Sequence, residues 1–349
     1  MSLWIEISKD KEKNMRYFIL AEVRENYPSL INGENVYNDY VSKKSMLDLC
    51  DALNSMGYNC TFFGGIKELL RAYQNNMDTS NIIFINYNYG LPATFKRTQC
   101  PTLLELMNAQ YSGSDPFVSL LVNDKEYTKK VLRSNNILTP ASFLVSNSCD
   151  LINKLHIANI PMPIVVKPNC EGSSLGITDK CLCNSYEDCQ NVVNMLLKDF
   201  GEVIIEQYIP GYECTVWVIG NANKFHLVAP LLISENGTYY FKHKIFTMQD
   251  KANRVRQYHL ANDIFDTEMV NQIKHLSETI FTELRLRDYA RFDFRIFDEN
   301  IYFIEANALP IFSKSSEIGK ISQLYKISYK DICKLFIETI NNRLMAKTD

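Results

Sequence analysis

Two short runs near the C-terminal end of the chain, Arg291-Phe292-Asp293-Phe294 and Ile304-Glu305-Ala306-Asn307, flank the turn-forming Asp298-Glu299-Asn300. The first run alternates charged residues with phenylalanines, and the pair reads as an antiparallel hairpin, because side chains alternate faces along a strand. With Glu299 as its centre, Asp293 and Glu305 each lie six residues away, and Arg291 and Asn307 each lie eight. All four side chains can then share one face, where directly opposed residues are close enough to share a ligand. Two carboxylates and an amide oxygen are hard ligands of the kind that hold Mg²⁺, which takes its remaining ligands from water and substrate phosphates. A guanidinium beside them suits an anion that gathers charge during reaction. A salt-bridged, solvent-facing hairpin is the plainer reading of these residues alone, so the rest of the chain has to decide.

The 349 residues suffice for roughly two or three domains with substantial cores. A net charge of −3 supplies no basic field for a nucleic-acid partner. Ten cysteines are scattered without paired C-x₂-C spacing, and even the closest group, Cys181, Cys183 and Cys189, does not read as a zinc site. Reduced thiols in a cytoplasmic protein fit this usage better. No apolar run approaches the ~20 residues of a membrane-spanning helix. The charged Lys9-Asp10-Lys11-Glu12-Lys13 does not belong to a secretory signal. Residues 1–14 read as a disordered extension, with Met15 an alternative start to Met1.

Strand patterns at Arg16–Ala21, Tyr58–Phe63 and Ile82–Tyr87 alternate with helical patterns at Val36–Met56 and Thr102–Asn108. Such alternation implies an open parallel sheet covered by helices. The segment lacks G-x-G-x-x-G, so it is not read as dinucleotide-binding. Further on, Asp124–Asn135, the segment after Asn184, Asp266–Leu284 and Asp331–Leu344 read as helices. The stripe Met269, Ile273, Leu276, Ile280 and Leu284 is core packing, and Asp266 or Thr267 is the candidate N-cap.

Two other stretches carry chemistry. In Ile164-Val165-Val166-Lys167-Pro168 a buried strand delivers a lysine to the small-residue loop Glu171-Gly172-Ser173-Ser174-Leu175-Gly176. Backbone N–H groups and hydroxyls there can donate to phosphate oxygens, with Lys167 as a point charge beside them. A flexible hairpin loop is the alternative. The apolar Ile204-Ile205-Glu206-Gln207-Tyr208-Ile209 followed by Pro210-Gly211-Tyr212-Glu213 offers a slot for an adenine ring and a carboxylate for a ribose. Alone it reads equally as two strands around a Pro210-Gly211 turn.

In this order, and together with Tyr111-Ser112-Gly113-Ser114, Asn123-Asp124-Lys125 and Glu305-Ala306-Asn307-Ala308-Leu309-Pro310, these stretches resemble the ATP-grasp superfamily and, within it, the D-alanine–D-alanine ligase family. The resemblance runs from about Tyr111 to Ser316, and several motifs in order are more specific than any one of them. It implies an ATP-grasp fold of the α/β class with α+β lobes: an N-terminal open parallel α/β domain over residues 1–120, a central lobe over 121–208 and a C-terminal lobe over 209–349. The segment 235–259, rich in Lys, Arg, Gln and Tyr, would be a mobile lid. The resemblance also implies roles. Lys125, Lys167, Glu171, Ser174 and Lys244 would grip ATP. Glu206, Gln207, Tyr208 and Ile209 would line the adenine pocket, with Glu213 on the ribose. Asp293, Glu305 and Asn307 would hold a pair of Mg²⁺ ions, with Mn²⁺ as the alternative metal. Arg291 and Ser173 would serve catalysis, and Ser316 and Ile311 would meet the second substrate. The family's habit implies a homodimer acting on small amino-acid-like molecules.

The chain departs from the family pattern on the substrate side. Asn86-Tyr87-Asn88-Tyr89-Gly90-Leu91-Pro92 has no histidine where the family carries His-Gly. Ile245 stands where a tyrosine follows the lid lysine, and Ile311 replaces the glycine of Asn-x-x-Pro-Gly. Of the acids after the first strand, Glu22 and Glu25 are read as belonging to a surface loop, with contact to a substrate amine as the alternative. The expectation is an ATP-dependent carboxylate–amine ligase working through an acyl phosphate on substrates other than two D-alanines. A D-alanine–D-alanine ligase, or a nucleotide-binding protein without catalysis, are the alternatives.

Overall fold

The computed structural model describes residues 15–27, 40–93, 95–147, 159–172, 174–222, 224–247, 249–250, 253 and 255–346. The expected extension over 1–14, the first residues of the 36–56 helical pattern and Ser173 lie outside the described residues. Strands β1 (Arg16–Leu20), β2 (Asn59–Gly64), β3 (Ile82–Asn86) and β4 (Gln110–Tyr111) form a parallel sheet in the order β2-β1-β3-β4. Helices α1 (Lys43–Asn54), α2 (Ile66–Gln74) and α3 (Lys96–Leu106) connect them. All five residues of β3 are buried, as expected where helices cover both faces of a parallel sheet. Helix α1 begins where Ser42 accepts from the Ser45 N–H, and it buries Met46, Leu49, Cys50 and Leu53 at helical spacing. Helix α3 is longer than the sequence suggests. It runs through Pro101, whose missing N–H argues against a helix interior, while Cys100, Leu103 and Leu104 anchor it in the core.

The chain crosses through α4 (Pro116–Asn123) and α5 (Lys125–Ser134) into an antiparallel sheet of β5 (Ser142–Val145), β6 (Ile164–Pro168), β7 (Leu182–Cys183) and β8 (Val203–Gln207), in the order β5-β8-β6-β7. Helix α6 (Tyr186–Phe200) covers one face with Cys189, Val192, Val193 and Leu196. After the three residues Tyr208-Ile209-Pro210 the chain enters β9 directly at Gly211, so the expected turn is an extended strap between two sheets.

The third sheet is antiparallel: β12 (Arg256–Leu260), β10 (Lys224–Glu235), β9 (Gly211–Asn221), β13 (Tyr289–Phe297) and β14 (Asn300–Asn307), with β11 (Tyr240–Phe241) also on β9. Helix α7 (Thr267–Glu283), capped by Asp266, packs Val270, Ile273, Ile280 and Phe281 against Phe292, Phe294 and Phe303. The opposite face of this sheet is polar toward β6 and β8 and apolar further along. There Trp217, Ile219 and Tyr289 join Tyr17 and Ile19 of β1 in one core with Phe312 and Phe336, which lie beside α8 (Glu317–Leu324) and on α9 (Tyr329–Met345). The first and third sheets are thus welded together, and the second overhangs the polar face.

Candidate active site

The site is built on strand alternation. Along β13, Ala290, Phe292, Phe294 and Ile296 point into the α7 core, while Arg291, Asp293 and Arg295 point to the polar face. In β14, Asp293 lies opposite Glu305 and Arg291 opposite Asn307. The sequence reading reaches these pairs through a turn centred on Glu299, but the structure arrives differently. The turn is Asp298-Glu299, both at positive φ (50° and 61°), as a tight two-residue hairpin turn requires. Such a turn pairs Phe297 with Asn300 and Phe294 with Phe303, and would leave Asp293 opposite Ile304. A bulge at Ile304 inserts one residue, so Glu305 takes the position opposite Asp293. It also switches faces. Phe303 is core, and Glu305, only two residues on, lines the cleft.

Thr215 of β9, directly opposite Asp293, donates to its Oδ1 at 2.7 Å, and Arg291 Nη2 donates to its Oδ2 at 2.9 Å. Burial raises the Asp293 carboxyl above its ordinary range; Arg291 pulls it down and the Glu305 charge pushes it up. Asn307 Oδ1 accepts from the Leu309 N–H at 3.0 Å, which fixes the amide and leaves a second lone pair. Arg291 also reaches Glu317 at 3.6 Å, and its Nε has no hydrogen-bond partner among the described residues. No group of three acidic, His or Cys ligands occurs among the described residues. Two opposed carboxylates plus an amide still fit Mg²⁺, which needs few protein ligands when phosphates supply others.

Above this floor, β6 and β8 present Lys167 and Glu206. Glu206 takes Lys167 at 2.6 Å through one oxygen and the fully buried Lys129 of α5 through the other. Burial would raise the Glu206 carboxyl, but the two ammoniums overcome it and hold it below its usual range. Burial would likewise lower Lys167; Glu206 more than compensates and raises it. Lys129 is pushed down to about 8 by burial, only partly offset by Glu206. Lys125 is lowered by burial, with Glu305 at 3.9 Å working against that. It donates to the carbonyls of Asn169 and Glu171. The Glu171 carboxylate turns away to Lys96 of α3 at 2.7 Å. Gly176 closes the small-residue loop at φ +75°, where a Cβ would meet the Phe200 ring at 2.7 Å.

The strap supplies the far wall. Tyr208 Oη accepts from the Lys244 N–H at 2.9 Å and lies 3.1 Å from the Phe241 carbonyl, fastening the strap to the segment expected to be a lid. Ser174 Oγ donates to the Phe246 carbonyl at 3.2 Å and ties the small-residue loop to the same segment. Arg295 bonds Glu213 at 2.9 Å and lies 5.6 Å from the Tyr208 ring.

Among the described residues, all the expected site residues except Lys244 line one cleft of about 830 Å³. Lys244 is held by Glu235 and Asp250, each at 3.2 Å, and it is Ile245 and Phe246 beside it that line the cleft. Ser316 lines the cleft while capping α8 through the Ile318 N–H, and Ile311 packs against the core shared by the first and third sheets. Of the Asn86–Pro92 stretch, only Tyr89 reaches the cleft. Glu22 corrects an expectation: it is not on a surface loop but buried, accepting from the Ile66 N–H at 2.7 Å at the start of α2 and from Tyr27 at 2.6 Å. Sequence reasoning missed Lys129, Thr215, Arg295 and Glu317. Lys129 had a signal, since it follows Lys125 by four residues and shares its helix face.

A family model described as "D-ala D-ala ligase C-terminus" matches residues 138–338. The chain is 28% identical over 307 residues to a D-alanine–D-alanine ligase of Paracidovorax citrulli, covering 87% of this chain and 86% of that protein. Its fold is similar to the Bacillus anthracis D-alanine–D-alanine ligase crystallised with ATP, with a TM-score of 0.71 at 19% identity over 96% of this chain and all of that one. It is also similar to the VanG D-Ala:D-Ser ligase of Enterococcus faecalis, with a TM-score of 0.69 at 16% identity over 94% of this chain and 99% of that one.

Proposed function

The chain belongs to the D-alanine–D-alanine ligase family of the ATP-grasp superfamily and is an ATP-dependent ligase, and from that premise we propose that it joins two amino-acid-like substrates as an amide through an acyl phosphate. The observation that carries this reading is the bulged register that sets Asp293 against Glu305 with Arg291 beside them, below Lys125 and Lys167 in the same cleft. In this reading the strap Gln207–Ile209 holds the base, Glu213 the ribose, and Lys125, Lys167 and the loop Glu171–Ser174 the phosphates. Asp293, Glu305 and Asn307 would hold Mg²⁺, which supplies charge neutralisation between the phosphates when bound. A carboxylate oxygen of the first substrate bonds to the γ-phosphorus as the bond to ADP breaks. The amine of the second substrate then attacks the acyl carbon, loses a proton and expels phosphate. Acid, amine and ATP are thereby converted to amide, ADP and phosphate.

The protein's own contribution is placement and charge. Arg291, already half-buried and oriented by Asp293 and Glu317, would face the charge that builds on the transferring phosphoryl group and the tetrahedral carbon. The segment 235–259, tied to the strap at Tyr208 and to the loop at Ser174, would exclude water from the acyl phosphate. Residues 1–120, 121–208 and 209–349 are the units that would close on the nucleotide. Phosphate release from ATP and Mg²⁺, with D- and L-amino acids singly and in pairs and products weighed by mass spectrometry, tests the reading. An amino-acid-stimulated release with an amide product supports it. ATP binding without stimulated release by any amino acid would leave only a nucleotide-binding protein.

A further inference from the structure

Charges lining the cleft are not balanced along its length. Strand β13 gives the direction, at about 6.6 Å between alternate residues. Arg295 marks the strap end, 5.6 Å from the Tyr208 ring; Asp293 marks the metal ligands; Arg291 marks the far end, 3.6 Å from Glu317. At the strap end and the centre every carboxylate lining the cleft has a cation of its own. Glu171 has Lys96, Glu206 has Lys129 and Lys167, Glu213 has Arg295, Asp250 has Lys244, Asp293 has Arg291, and Glu305 has Lys125. Apart from Arg97, which stacks on the Tyr89 ring at 3.7 Å, four further cations line the same cleft: Arg24, Arg256, Lys314 and Lys320. None of them makes an ion pair among the described residues.

Their positions are tied to the far end. Lys314 precedes α8 and Lys320 lies on it, immediately beyond Glu317. Arg256 shares a face of β12 with Tyr258, whose hydroxyl donates to Glu317 Oε1 at 3.3 Å. Arg24 follows Val23, which lies just past the C-terminal end of β1 and packs in one core with Phe312 and Ile318 beside α8. The carboxylate facing this group is Glu317, already shared between Arg291 and Tyr258. The nucleotide does not account for the surplus, because its phosphates lie on the strap side of Arg291, over Lys125 and Lys167, in the reading above. A neutral amino acid does not account for it either. It carries one carboxylate and one ammonium, and the ammonium would meet four positive charges without a carboxylate of their own, two of them lying over aromatic rings, Arg256 over Phe246 and Lys314 over Tyr329.

We infer that a substrate of this ligase carries at least one acidic group beyond the α-carboxylate: it is an aspartate- or glutamate-class amino acid, free or at the end of a short peptide. This rests on the ligase reading and deepens it. At the same end Ser313 and Ser315 bond each other through their hydroxyls at 3.0 Å, which leaves one O–H of the pair for a second carboxylate, while the Ser316 hydroxyl is spent on the Ser313 carbonyl at 2.8 Å.

The test uses the full chain with ATP, Mg²⁺ and saturating panels of aspartate, glutamate, alanine, serine and lysine of both configurations, with dipeptides ending in aspartate or glutamate as a separate arm. Acid-bearing substrates are expected to stimulate phosphate release at least ten-fold over alanine and to appear in the product. Lys314→Ser with Lys320→Ser, both exposed and outside the core, should raise KM for the acidic substrate several-fold and leave KM for ATP unchanged. Raising the salt concentration should mimic the double variant. Stimulation by alanine or serine at least as strong as by any acid would overturn the inference and leave the ligase reading standing. An acidic substrate whose KM ignores the double variant and salt would overturn the assignment to these cations. No stimulation by any member of either arm, with ATP still bound, would overturn both readings.

Discussion

Asp293 and Glu305 are where charge, not volume, matters. Both line the cleft and neither fills the core. Asp293→Asn and Glu305→Gln should each lower turnover at least ~100-fold, the scale of losing one electrostatic stabiliser, while circular dichroism stays that of the parent. Near-parental turnover in both would remove the metal assignment. Glu206 is a different kind of carboxylate. It holds two ammoniums inside the protein, so Glu206→Gln strands them and should cost roughly 3–5 kcal/mol. The sign with pH follows from the lowered carboxyl. Its stabilisation is fully present above the unfolded value of about 4.3 and is lost as pH falls through the still lower folded value. Urea unfolding of parent and variant should therefore differ most at neutral pH and converge in acid. A constant gap down to the acid limit would mean the pair is not ionised in the fold. Sequence could name Glu206 and Lys167, but it could not show them bonded to each other. That contact depends on the antiparallel register of β6 on β8, where Val165 faces Glu206 and Lys167 faces Ile204.

Strand β9 shows how one backbone position governs a wall of the site. Gly211 opens the strand at φ +123°, and a Cβ there would stand 2.0 Å from the Ile296 carbonyl of β13. A backbone oxygen inside a ladder cannot move aside, so Gly211→Ala must part β9 from β13 just where the strap enters. It should cost about 2–3 kcal/mol and weaken nucleotide affinity, since Tyr208 and Ile209 move with the strand. Gly201→Ala is the control. It also has positive φ, +74°, but open space around its Cβ, and should cost only about 1–2 kcal/mol with nucleotide affinity intact. Equal losses in the two variants would mean that backbone conformation alone, and not the crowding at β13, sets the effect. The hairpin of β13 and β14 was legible for a related reason. Its alternation of Phe with Arg and Asp survives in any register, so the face that each β13 residue takes could be read; the facing pairs came out right because a turn centred on Glu299 gives the same register there as a two-residue turn plus one bulged residue. The bulge itself was not legible, because Ile304 is an ordinary strand residue and its extra place depends on the turn being Asp298-Glu299. The helix through Pro101 was missed because burial of Cys100, Leu103 and Leu104 overrides a local rule that sequence reading must respect.

What joins the sheets could not be read at all, because it is made between residues far apart in the chain. Asp288 is fully buried at positive φ. It accepts from the Gly113 N–H at 2.8 Å and from Arg343 Nε and Nη2, each at 2.7 Å, while Asn221 Nδ2 approaches at 3.3 Å. Arg343 also donates to the Tyr111 carbonyl at 2.7 Å. One carboxylate thereby ties the end of the parallel sheet, the third sheet and the last helix, and the proximity of Asp288 raises the Arg343 guanidinium against the burial that lowers it. Neither residue lines the cleft. Asp288→Asn keeps the shape and an acceptor but removes the charge, leaving a largely buried guanidinium without its counter-ion. The cost should be on the order of 3 kcal/mol or more, read as a lower denaturation midpoint, while KM for ATP and turnover per folded molecule stay at the parental values. If the first and third sheets act as one frame for the overhanging second, the loss should appear in a single cooperative transition. A separate early transition, with ATP still stabilising the remainder, would show instead that the frame is two bodies and that this ion pair only decorates their contact.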